Sequence, residues 1–460
     1  MKVILDLQPY TKRHATHQHK RRMVIMMKSY FKQQLAPLGL LCTLSMPTHA
    51  EVIPFSVDTW EFNNNAAVTI GEYQGKSDVL SISNGIAAVK DLEFTNGVIE
   101  YDVYNGSTGT EYAGPIWHVK DLQNFEVIHT RNNRNNSPYA VHYYPFNNNL
   151  GNIQFYYGQG HNATTNLPVG QWVHVKLVIS GSQGELFIGD MSQPVLFIDN
   201  LVGGFGSGQV GLFGNYNVKE EVHFANYDVQ PAAEPPTLIG TPSEFQADPS
   251  IIRTWGVSEP FNKAEELEGY TLIPKNWQTH TFTPFSADRD GKTNLARFQA
   301  MPQGKKTVFA RAYLSSTKEQ IKKFSFGFTG EVNLYLNSKL IYSANDKFGT
   351  RDHAFIGTSG YLDHIYLPLV PGNNEIWAVV SSSFVGFGVM GKFEDMTDIT
   401  IYDTPVFFRS YCTGNYNLTT EEMQLPCVDI GDGQVYDVTL GKNAEGDYQL
   451  VPSKSVGRIK

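Results

Sequence analysis

The segment Gly97-Val98-Ile99-Glu100-Tyr101-Asp102-Val103-Tyr104 alternates apolar and polar side chains at nearly every step. A period of two predicts a β-strand whose two faces differ in character. Ile99, Tyr101 and Val103 lie on one face, and Glu100, Asp102 and Tyr104 lie on the other. Similar segments, closed by Gly, Asn or Pro, recur from Asp91 to Val229 without a helical period, which predicts an all-β sandwich. The polar and aromatic face is typical of a surface that meets sugars.

Length and composition indicate the class of protein that contains such a sandwich. The chain has 460 residues, so we expect two or three domains, each large enough for a hydrophobic core. Aromatic residues make up 13% of the chain and charged residues only 18%. The surface must therefore be covered largely by uncharged polar side chains and Tyr, which favours an extracellular β-protein over a cytosolic enzyme.

The N-terminal region has the pattern of an export signal. Residues 26–32 form a basic segment, Leu35 to Met46 an apolar core, and Thr48-His49-Ala50 a small-residue cleavage site. We therefore expect a signal peptide that ends near Ala50 and a secreted or periplasmic protein. Residues 1–25 are expected to be sequence upstream of the true start, with a long basic segment as the alternative. The apolar core is too short for a membrane span, and no later stretch reaches about 18 apolar residues.

Removal of the first 50 residues changes the charge of the chain. They hold eight of the 36 Lys and Arg and one of the 45 Asp and Glu, so the mature chain has 28 against 44, or −16. Nucleic acids and anionic membranes need a basic surface, and both are excluded as expected partners.

Two cysteines, Cys412 and Cys427, remain near the C-terminus after cleavage. In an oxidising compartment we expect them to form one structural disulfide, worth about 3 kcal/mol for a loop of about 15 residues. No His beside them suggests a metal site or a nucleophile.

The chain divides where its composition changes. Residues 51–229 form the first β-domain, and the Pro-rich segment 230–236 is predicted to be a linker because it cannot continue a strand. A second β-domain is expected over 237–405, followed by a loop-rich segment over 406–460 that holds the cysteines. The longest helical candidate, 261–268, is predicted to be one or two turns.

The first domain contains an ordered set of motifs that carries a family resemblance. These motifs are Trp117-His118, Asn124 to Arg131, Tyr143 to Asn147, Gln154 to Gly158, Gly170 to Val178 and Gly208 to Leu212. Their order resembles the concanavalin A-like lectin/glucanase jelly roll, in particular domains similar to the 3-keto-disaccharide hydrolase family and to laminin-G-like modules. The resemblance covers about 170 residues and implies the fold. It leaves the function open among lectins, glycosidases, lyases and adhesion modules.

The second domain resembles a galactose-binding-like jelly roll, a fold that accompanies many secreted glycan-processing enzymes. The resemblance rests on Phe324 to Phe328, Val332 to Tyr342 and Tyr366 to Ile376, with a hairpin turn at Asn337-Ser338 where the family usually has Gly at the second position. Its binding residues lie on variable loops, so none is carried over. One such loop holds a weaker candidate site of Asp346, Arg351, Asp352 and His353.

The candidate binding residues lie on three neighbouring strands of the first domain. Alternation places His129 and Arg131 on the same side of their strand. Depending on register, the next strand sets either Tyr139 and Tyr143 or His142 and Tyr144 near them, and Trp117 and His118 lie on the preceding strand. Arg and aromatic side chains bind sugar hydroxyls and ring faces. The predicted substrate-binding residues are Trp117, His129, Arg131, Tyr139, His142 and Tyr143. The alternative is that Trp117 belongs to the core and that His129 and Arg131 are satisfied by the backbone at a sheet edge.

Carboxylates decide whether the protein could also cleave a glycan. Glu100 and Asp102 match the start of the retaining-glucanase pattern Glu-x-Asp-x-x-Glu, but Asn105 stands where the second Glu is needed. This departure argues against classical glucanase chemistry. The next catalytic candidates are Glu126 and His118, in an unconventional hydrolase or lyase.

These observations lead to one functional expectation and two alternatives. We expect a secreted carbohydrate-binding protein that recognises a poly- or oligosaccharide through the first β-sandwich. The first alternative is a glycan-active hydrolase or lyase, and the second is a non-catalytic adhesion module. No cofactor is required by the sequence, although jelly rolls of this type often carry Ca²⁺.

Overall fold

The computed structural model describes residues 52–63, 66–104, 106, 112–214, 221–267, 273, 277, 279–298, 304–347, 349–352, 357–382, 386–402, 409–410, 415–417, 420, 422–429, 435–442, 448–450 and 456–458. Strands dominate, so the all-β prediction is confirmed. Within this part of the chain no helix is long and apolar enough to cross a membrane. The described residues fall into two compact units, 52–402 and 409–458.

The first sandwich is made of two antiparallel sheets. Its strands are β1 (Trp60–Phe62), β2 (Ala67–Tyr73), β3 (Lys76–Ser83), β4 (Gly85–Val89), β5 (Gly97–Tyr104), β6 (Ala113–Asp121), β7 (Asn124–Thr130), β8 (Val141–Asn147), β9 (Leu150–Gly151), β10 (Asn162–Ala163), β11 (Trp172–Ser180), β12 (Gln183–Ile188), β13 (Leu196–Ile198), β14 (Gln209–Gly214) and β15 (Val222–Pro231). The front sheet has the order β1-β4-β14-β6-β7-β8-β10, with β9 beside β8. The back sheet has the order β13-β12-β11-β5-β15-β3-β2. A 3₁₀ turn at Asn132–Arg134 follows β7.

Strand β5 shows how alternation builds this sandwich. Ile99, Tyr101 and Val103 are buried in the first core, and the intervening Glu100 and Asp102 are only half-buried. Burial of the apolar side chains against the front sheet is the main stabilising term. The predicted two-faced strand is confirmed, and its polar face is turned away from the core.

The second sandwich is built in the same way. Its strands are β16 (Thr254–Ser258), β17 (Phe282–Ser286), β18 (Thr293–Asn294), β19 (Thr307–Ser316), β20 (Gln320–Phe328), β21 (Gly330–Leu336), β22 (Lys339–Asp346), β23 (Asp363–Leu369), β24 (Gly372–Ser381), β25 (Gly388–Phe393) and β26 (Ile399–Ile401). One sheet has the order β17-β16-β19-β24-β21-β22, with β26 beside β19, and the other has the order β18-β25-β20-β23. Side chains of both sheets share one hydrophobic core.

Two short helices lie among these strands. The predicted helical candidate is confirmed as a single turn, Lys263–Glu266, capped by the Asn262 side chain, which accepts from the Ala264 N–H. A 3₁₀ turn covers Leu295–Arg297.

Strand β15 runs two residues into the segment that was predicted to be a linker. Gln230 pairs with Val98, and Pro231 pairs with Gly97 at the very end of the ladder. A proline is tolerated there because its missing N–H breaks the ladder only at its last position. The irregular connection between the sandwiches therefore starts after Pro231.

Buried amides join the first sandwich to the second. Asn152 Nδ2 donates to Asn294 Oδ1 at 2.8 Å, and Asn294 Nδ2 donates to Asn147 Oδ1 at 2.9 Å. Asn152 Oδ1 also accepts from the Phe387 N–H. Beside them, the Phe155 ring packs on Gly388, where a Cβ atom would lie 2.4 Å from the ring. The two sandwiches are thus in direct contact.

The C-terminal unit contains a small antiparallel sheet. Its strands are β27 (Arg409–Ser410), β28 (Asn415–Asn417), β29 (Glu422–Asp429), β30 (Val435–Lys442), β31 (Tyr448–Leu450) and β32 (Val456–Arg458). The loop-rich segment that we expected is therefore largely strand in its described part. Cys412 lies outside the described residues, as does the side chain of Cys427, so the disulfide stays a prediction.

The hairpin turn at Asn337-Ser338 joins β21 to β22 as predicted. Both residues have a left-handed backbone, with φ of 49° and 68°. Such a conformation favours Gly at the second position, because a Cβ atom is strained there. The Ser338 backbone carbonyl accepts a hydrogen bond from the Ile273 N–H. A glycine at position 338 would keep this hydrogen bond, because it involves only the backbone.

We expect Ser338→Gly to raise the free energy of unfolding by about 0.5–1 kcal/mol, because backbone strain is relieved. Urea denaturation followed by fluorescence measures this change. Asn337→Gly is the matched control: it relieves strain at the same turn but removes hydrogen bonds from the Asn337 side chain to Asn374 and Glu375. A loss of stability in Ser338→Gly would contradict the strain argument.

Candidate functional site

The predicted binding residues do not share one open face. In the front sheet, Trp117 pairs with Glu126, and Ile128 pairs with Tyr143, so these side chains lie on one side. His129 and its partner His142 lie on the other side. Trp117, Glu126, His129, His142 and Tyr143 are each no more than 2% exposed. These residues therefore lie on both sides of the sheet, and because both sides are covered they do not form one exposed face.

Glu126 lies in a buried polar network. The Tyr143 hydroxyl donates to Oε2 at 2.8 Å, and the Gly203 N–H donates to Oε1 at 2.9 Å. Gly203 must be glycine, since a Cβ atom would lie 2.4 Å from Oε1. Burial raises the pKa of Glu126 to about 7, against the lowering effect of these hydrogen bonds. Trp117 stacks on Tyr143 with ring centroids 5.8 Å apart.

His129 and His142 belong to an aromatic cluster. The His129 ring lies 5.5 Å from His142 and 5.1 Å from Tyr144, and its Nδ1 is 3.0 Å from the Tyr144 hydroxyl. Burial lowers the pKa of His142 to about 3 and the pKa of His129 well below its usual value. Both imidazoles are therefore neutral. Arg131 is half-buried, with its guanidinium 4.6 Å from the centroid of the Tyr112 ring.

His118 and Tyr139 lie apart from these groups. His118 has a left-handed backbone with φ of 49°, at an irregularity where β6 shifts register, and its Nε2 is 3.0 Å from the Thr95 carbonyl oxygen. Burial lowers the pKa of His118. Tyr139 is half-buried, 5.4 Å from the Tyr157 ring. The roles assigned to all of these residues stay predictions.

We expect the buried Glu126 carboxyl to make stability depend on pH. Its pKa is about 7 in the folded chain and near its usual 4.5 in the unfolded chain. The contribution of the Glu126 carboxyl to the free energy of unfolding is therefore fully present below about pH 4.5. About 3 kcal/mol of this free energy is lost as the pH rises through 7. In Glu126→Gln this loss should disappear, as measured by urea denaturation between pH 4 and 8.

Glu72→Gln is the control for this experiment, because Glu72 is an exposed carboxylate of the back sheet. It should keep the pH dependence of the parent chain. An unchanged pH dependence in Glu126→Gln would show that another group is responsible.

The outer face of the back sheet is open and carries a different set of polar and aromatic residues. We call this set the Asp102 face. It consists of Tyr73, Lys76, Glu100, Asp102, Tyr104, Trp172, His174, His223 and Asn226. The register of β5 with β11 places His174 beside Asp102 and Trp172 beside Tyr104.

Asp102 is the centre of a hydrogen-bond cluster on this face. Lys76 Nζ lies 2.6 Å from Oδ2, Asn226 Nδ2 donates to the same oxygen at 2.7 Å, and His174 Nδ1 lies 2.8 Å from Oδ1. Burial would raise the pKa of Asp102, but these hydrogen bonds lower it below its usual range. The ionised carboxylate thus orients three donors from three segments. Glu100 lies beside it, with its carboxylate 4.0 Å from His174 Nε2.

Four rings form a row along the edge of the Asp102 face. Trp172 contacts Tyr104 with centroids 5.4 Å apart, Tyr104 contacts Tyr73 at 5.4 Å, and Tyr73 stacks on His223 at 3.6 Å. The Trp172 Nε1–H donates to the Gln74 carbonyl at 3.0 Å. The contacts between neighbouring rings and the hydrogen bond to Gln74 therefore hold the row in place.

The sequence contains a signal for this face that alternation alone could have revealed. Trp172, His174 and Lys176 occupy every second position of β11, and they pair with Tyr104, Asp102 and Glu100 in the folded sheet. The pairing joins positions about 70 residues apart. Asn105, whose identity weighed against a glucanase, lies outside the described residues.

The weaker candidate loop of the second sandwich is an ion-pair network. Arg351 Nε lies 2.6 Å from Asp346 Oδ1, and its Nη1 donates to Asp363 at 3.1 Å. His353 lies outside the described residues. Among the described residues no group of three or more His, Cys, Asp or Glu side chains could hold a metal ion.

Comparisons with known proteins return only solved structures. No family model and no curated protein matches the chain. The carbohydrate binding module CBM66 from Bacillus subtilis is 20% identical over 38% of this chain and 98% of its own, with a TM-score of 0.28. A protein of unknown function with a galectin-like fold from Bacillus subtilis is 13% identical, over 39% and 91%, with a TM-score of 0.26. LamAcat from Zobellia galactanivorans is 10% identical, over 38% and 92%, with a TM-score of 0.22. No family membership follows from similarities of this size.

Proposed function

We propose that the protein binds a poly- or oligosaccharide at the Asp102 face. The observation that carries this proposal is the row of four aromatic rings beside a preorganised cluster of charged donors and acceptors on the outer sheet face. Trp172 and Tyr73 are the partly exposed rings of the row, and Tyr104 and His223 are buried behind them. Ring faces pack against the C–H groups of a sugar, and the polar groups hydrogen-bond to its hydroxyls. Export by the predicted signal peptide would bring this face to extracellular glycans.

The roles of the individual side chains follow from their exposure. Glu100 and His174 are the accessible hydrogen-bonding groups, with side chains 30% and 41% exposed, whereas Asp102 is only 15% exposed. Asp102 is therefore a positioning residue, which holds His174 and Lys76 in the geometry that a ligand meets. Groups held in place before binding lose less entropy on binding.

The charge of the Asp102 face favours a sugar over a strongly charged ligand. The carboxylates of Glu100 and Asp102 lie on the same side of the sheet as the ammonium groups of Lys76 and Lys176. Neither a polyanion nor a polycation gains much from such a balanced surface. Hydroxyl groups, which both donate and accept, fit it well.

We expect Trp172→Ala and Glu100→Gln each to weaken sugar binding about tenfold, since they remove a ring face and a charged acceptor. Isothermal titration of the purified full chain with short linear oligosaccharides of glucose, galactose, mannose, xylose, arabinose and fructose measures this. Glu72→Gln, which alters an exposed carboxylate of the same sheet outside the Asp102 face, should bind like the parent chain.

Failure of the parent chain to bind any of these sugars would overturn the proposal. Tight binding to a cell-surface protein in that case would favour the adhesion alternative. Sugar binding with unchanged affinity and an unchanged number of sites per chain in both Trp172→Ala and Glu100→Gln would show that the Asp102 face is not the site.

Glycan cleavage is the second candidate function, and one observation favours it. The pKa of Glu126, raised by burial to about 7, lies in the range of a general acid at neutral pH. Such an acid would protonate the glycosidic oxygen while water adds at the anomeric carbon. Its carboxyl is enclosed by Tyr143 and Gly203, so a substrate would have to displace these contacts.

We expect Glu126→Gln to abolish product release, and to leave binding at the Asp102 face intact, if the protein cleaves glycans. Chromatography of each oligosaccharide after incubation detects the products. Binding without products in the parent chain would rule out cleavage of these substrates.

A further inference from the structure

A cleft of about 480 Å³ lies between the two sandwiches. None of its lining residues belongs to the Asp102 face. It is lined by the first sandwich, by the connection between the sandwiches and by the second sandwich. The lining residues that matter most are His161, Asn200, Phe245, Asp288, Arg289 and Asp290. The volume is in the range of about 300–1,000 Å³ that is typical of small-molecule sites.

His161 brings a buried imidazole to the wall of this cleft. The residue is 9% exposed, and its ring is parallel to that of Tyr143 with centroids 5.5 Å apart. Its Nδ1 is buried and has no hydrogen-bond partner within the described part of the chain. A buried polar atom of this kind costs about 1–3 kcal/mol unless a ligand or water satisfies it.

Phe245 gives the cleft an aromatic surface. It belongs to the connection after Pro231, and the residue is 46% exposed. The Arg289 guanidinium lies 4.9 Å from its centroid. The connection is held near the first sandwich by Ser243, whose N–H donates to Asp199 Oδ1 at 3.2 Å.

The charges of the cleft are largely compensated. Asp288 pairs with Arg297 at 3.1 Å, and Asp290 pairs with Lys292. Arg289 adds a cation to the lining and donates from Nη1 to the Asp199 carbonyl oxygen at 3.5 Å, and Asp199 and Glu244 add two carboxylates. The cleft therefore favours a neutral, hydroxyl-rich ligand over a strongly charged one.

We propose that this cleft is a second sugar-binding site, which takes a short neutral oligosaccharide with His161 Nδ1 and Asn200 as hydrogen-bonding groups and Phe245 as the stacking surface. The inference goes beyond the proposed function, which concerns the Asp102 face alone. It makes the chain bivalent, so that one molecule could hold two parts of a polysaccharide with increased avidity.

The test uses the full chain with Trp172→Ala, which removes stacking at the Asp102 face. Isothermal titration with the same six classes of oligosaccharide should show remaining binding at one site per chain. Adding His161→Phe, which keeps a ring against Tyr143 but has no nitrogen, should weaken that binding at least tenfold. Phe245→Ala should have a similar effect and does not depend on a buried position.

Ile239→Ala is the matched control, because Ile239 is an exposed apolar residue of the same connection that does not line the cleft. It should leave binding unchanged.

If Trp172→Ala abolishes all binding, the cleft proposal is wrong and the proposed function stands. If Trp172→Ala has no effect but Phe245→Ala abolishes binding, the cleft is the site and the proposed function is wrong. Remaining binding that is insensitive to His161→Phe and Phe245→Ala also overturns the cleft proposal.

Discussion

The hydrogen-bonded amides of Asn147, Asn152 and Asn294 are the contact on which the arrangement of the two sandwiches depends. All three side chains are buried, and an unpaired amide in that position would cost about 1–3 kcal/mol. Each sandwich therefore satisfies buried polar groups of the other. The cleft is lined by residues 159–161 of the first sandwich and residues 288–290 of the second, which the docking of the two sandwiches brings together.

Arg297 extends the same contact toward the first core. Its guanidinium donates to the Val202 carbonyl at 3.1 Å and pairs with Asp288, whose other oxygen accepts from the Tyr156 hydroxyl. The positive charge lowers the pKa of Glu126, although burial outweighs it. Charged groups buried at this junction are tolerated because each has a partner. Two regions thus differ in kind: a closed polar network inside, and the open Asp102 face outside.

Much of the fold could be predicted from the sequence, because alternation reports on one strand at a time. The two-faced strand β5, the turn at Asn337-Ser338 and the short helix near 263 were all predicted from local patterns. The front-sheet site was not, because alternation cannot show that a face is covered. His129 and His142 look like sugar ligands in the sequence, yet a layer of aromatic rings packs over them.

Successive side chains of a strand point to opposite sides of the sheet. The positions of Glu100 and Asp102 in the sequence were therefore enough to show that β5 has a polar face. Which residues join that face depended on strand pairing. His174 and Asn226 reach Asp102 only because β11 and β15 flank β5, and no local pattern links positions so far apart. The cleft beside His161 depends on a third level, the docking of one sandwich on the other, which is set by buried polar contacts between distant segments.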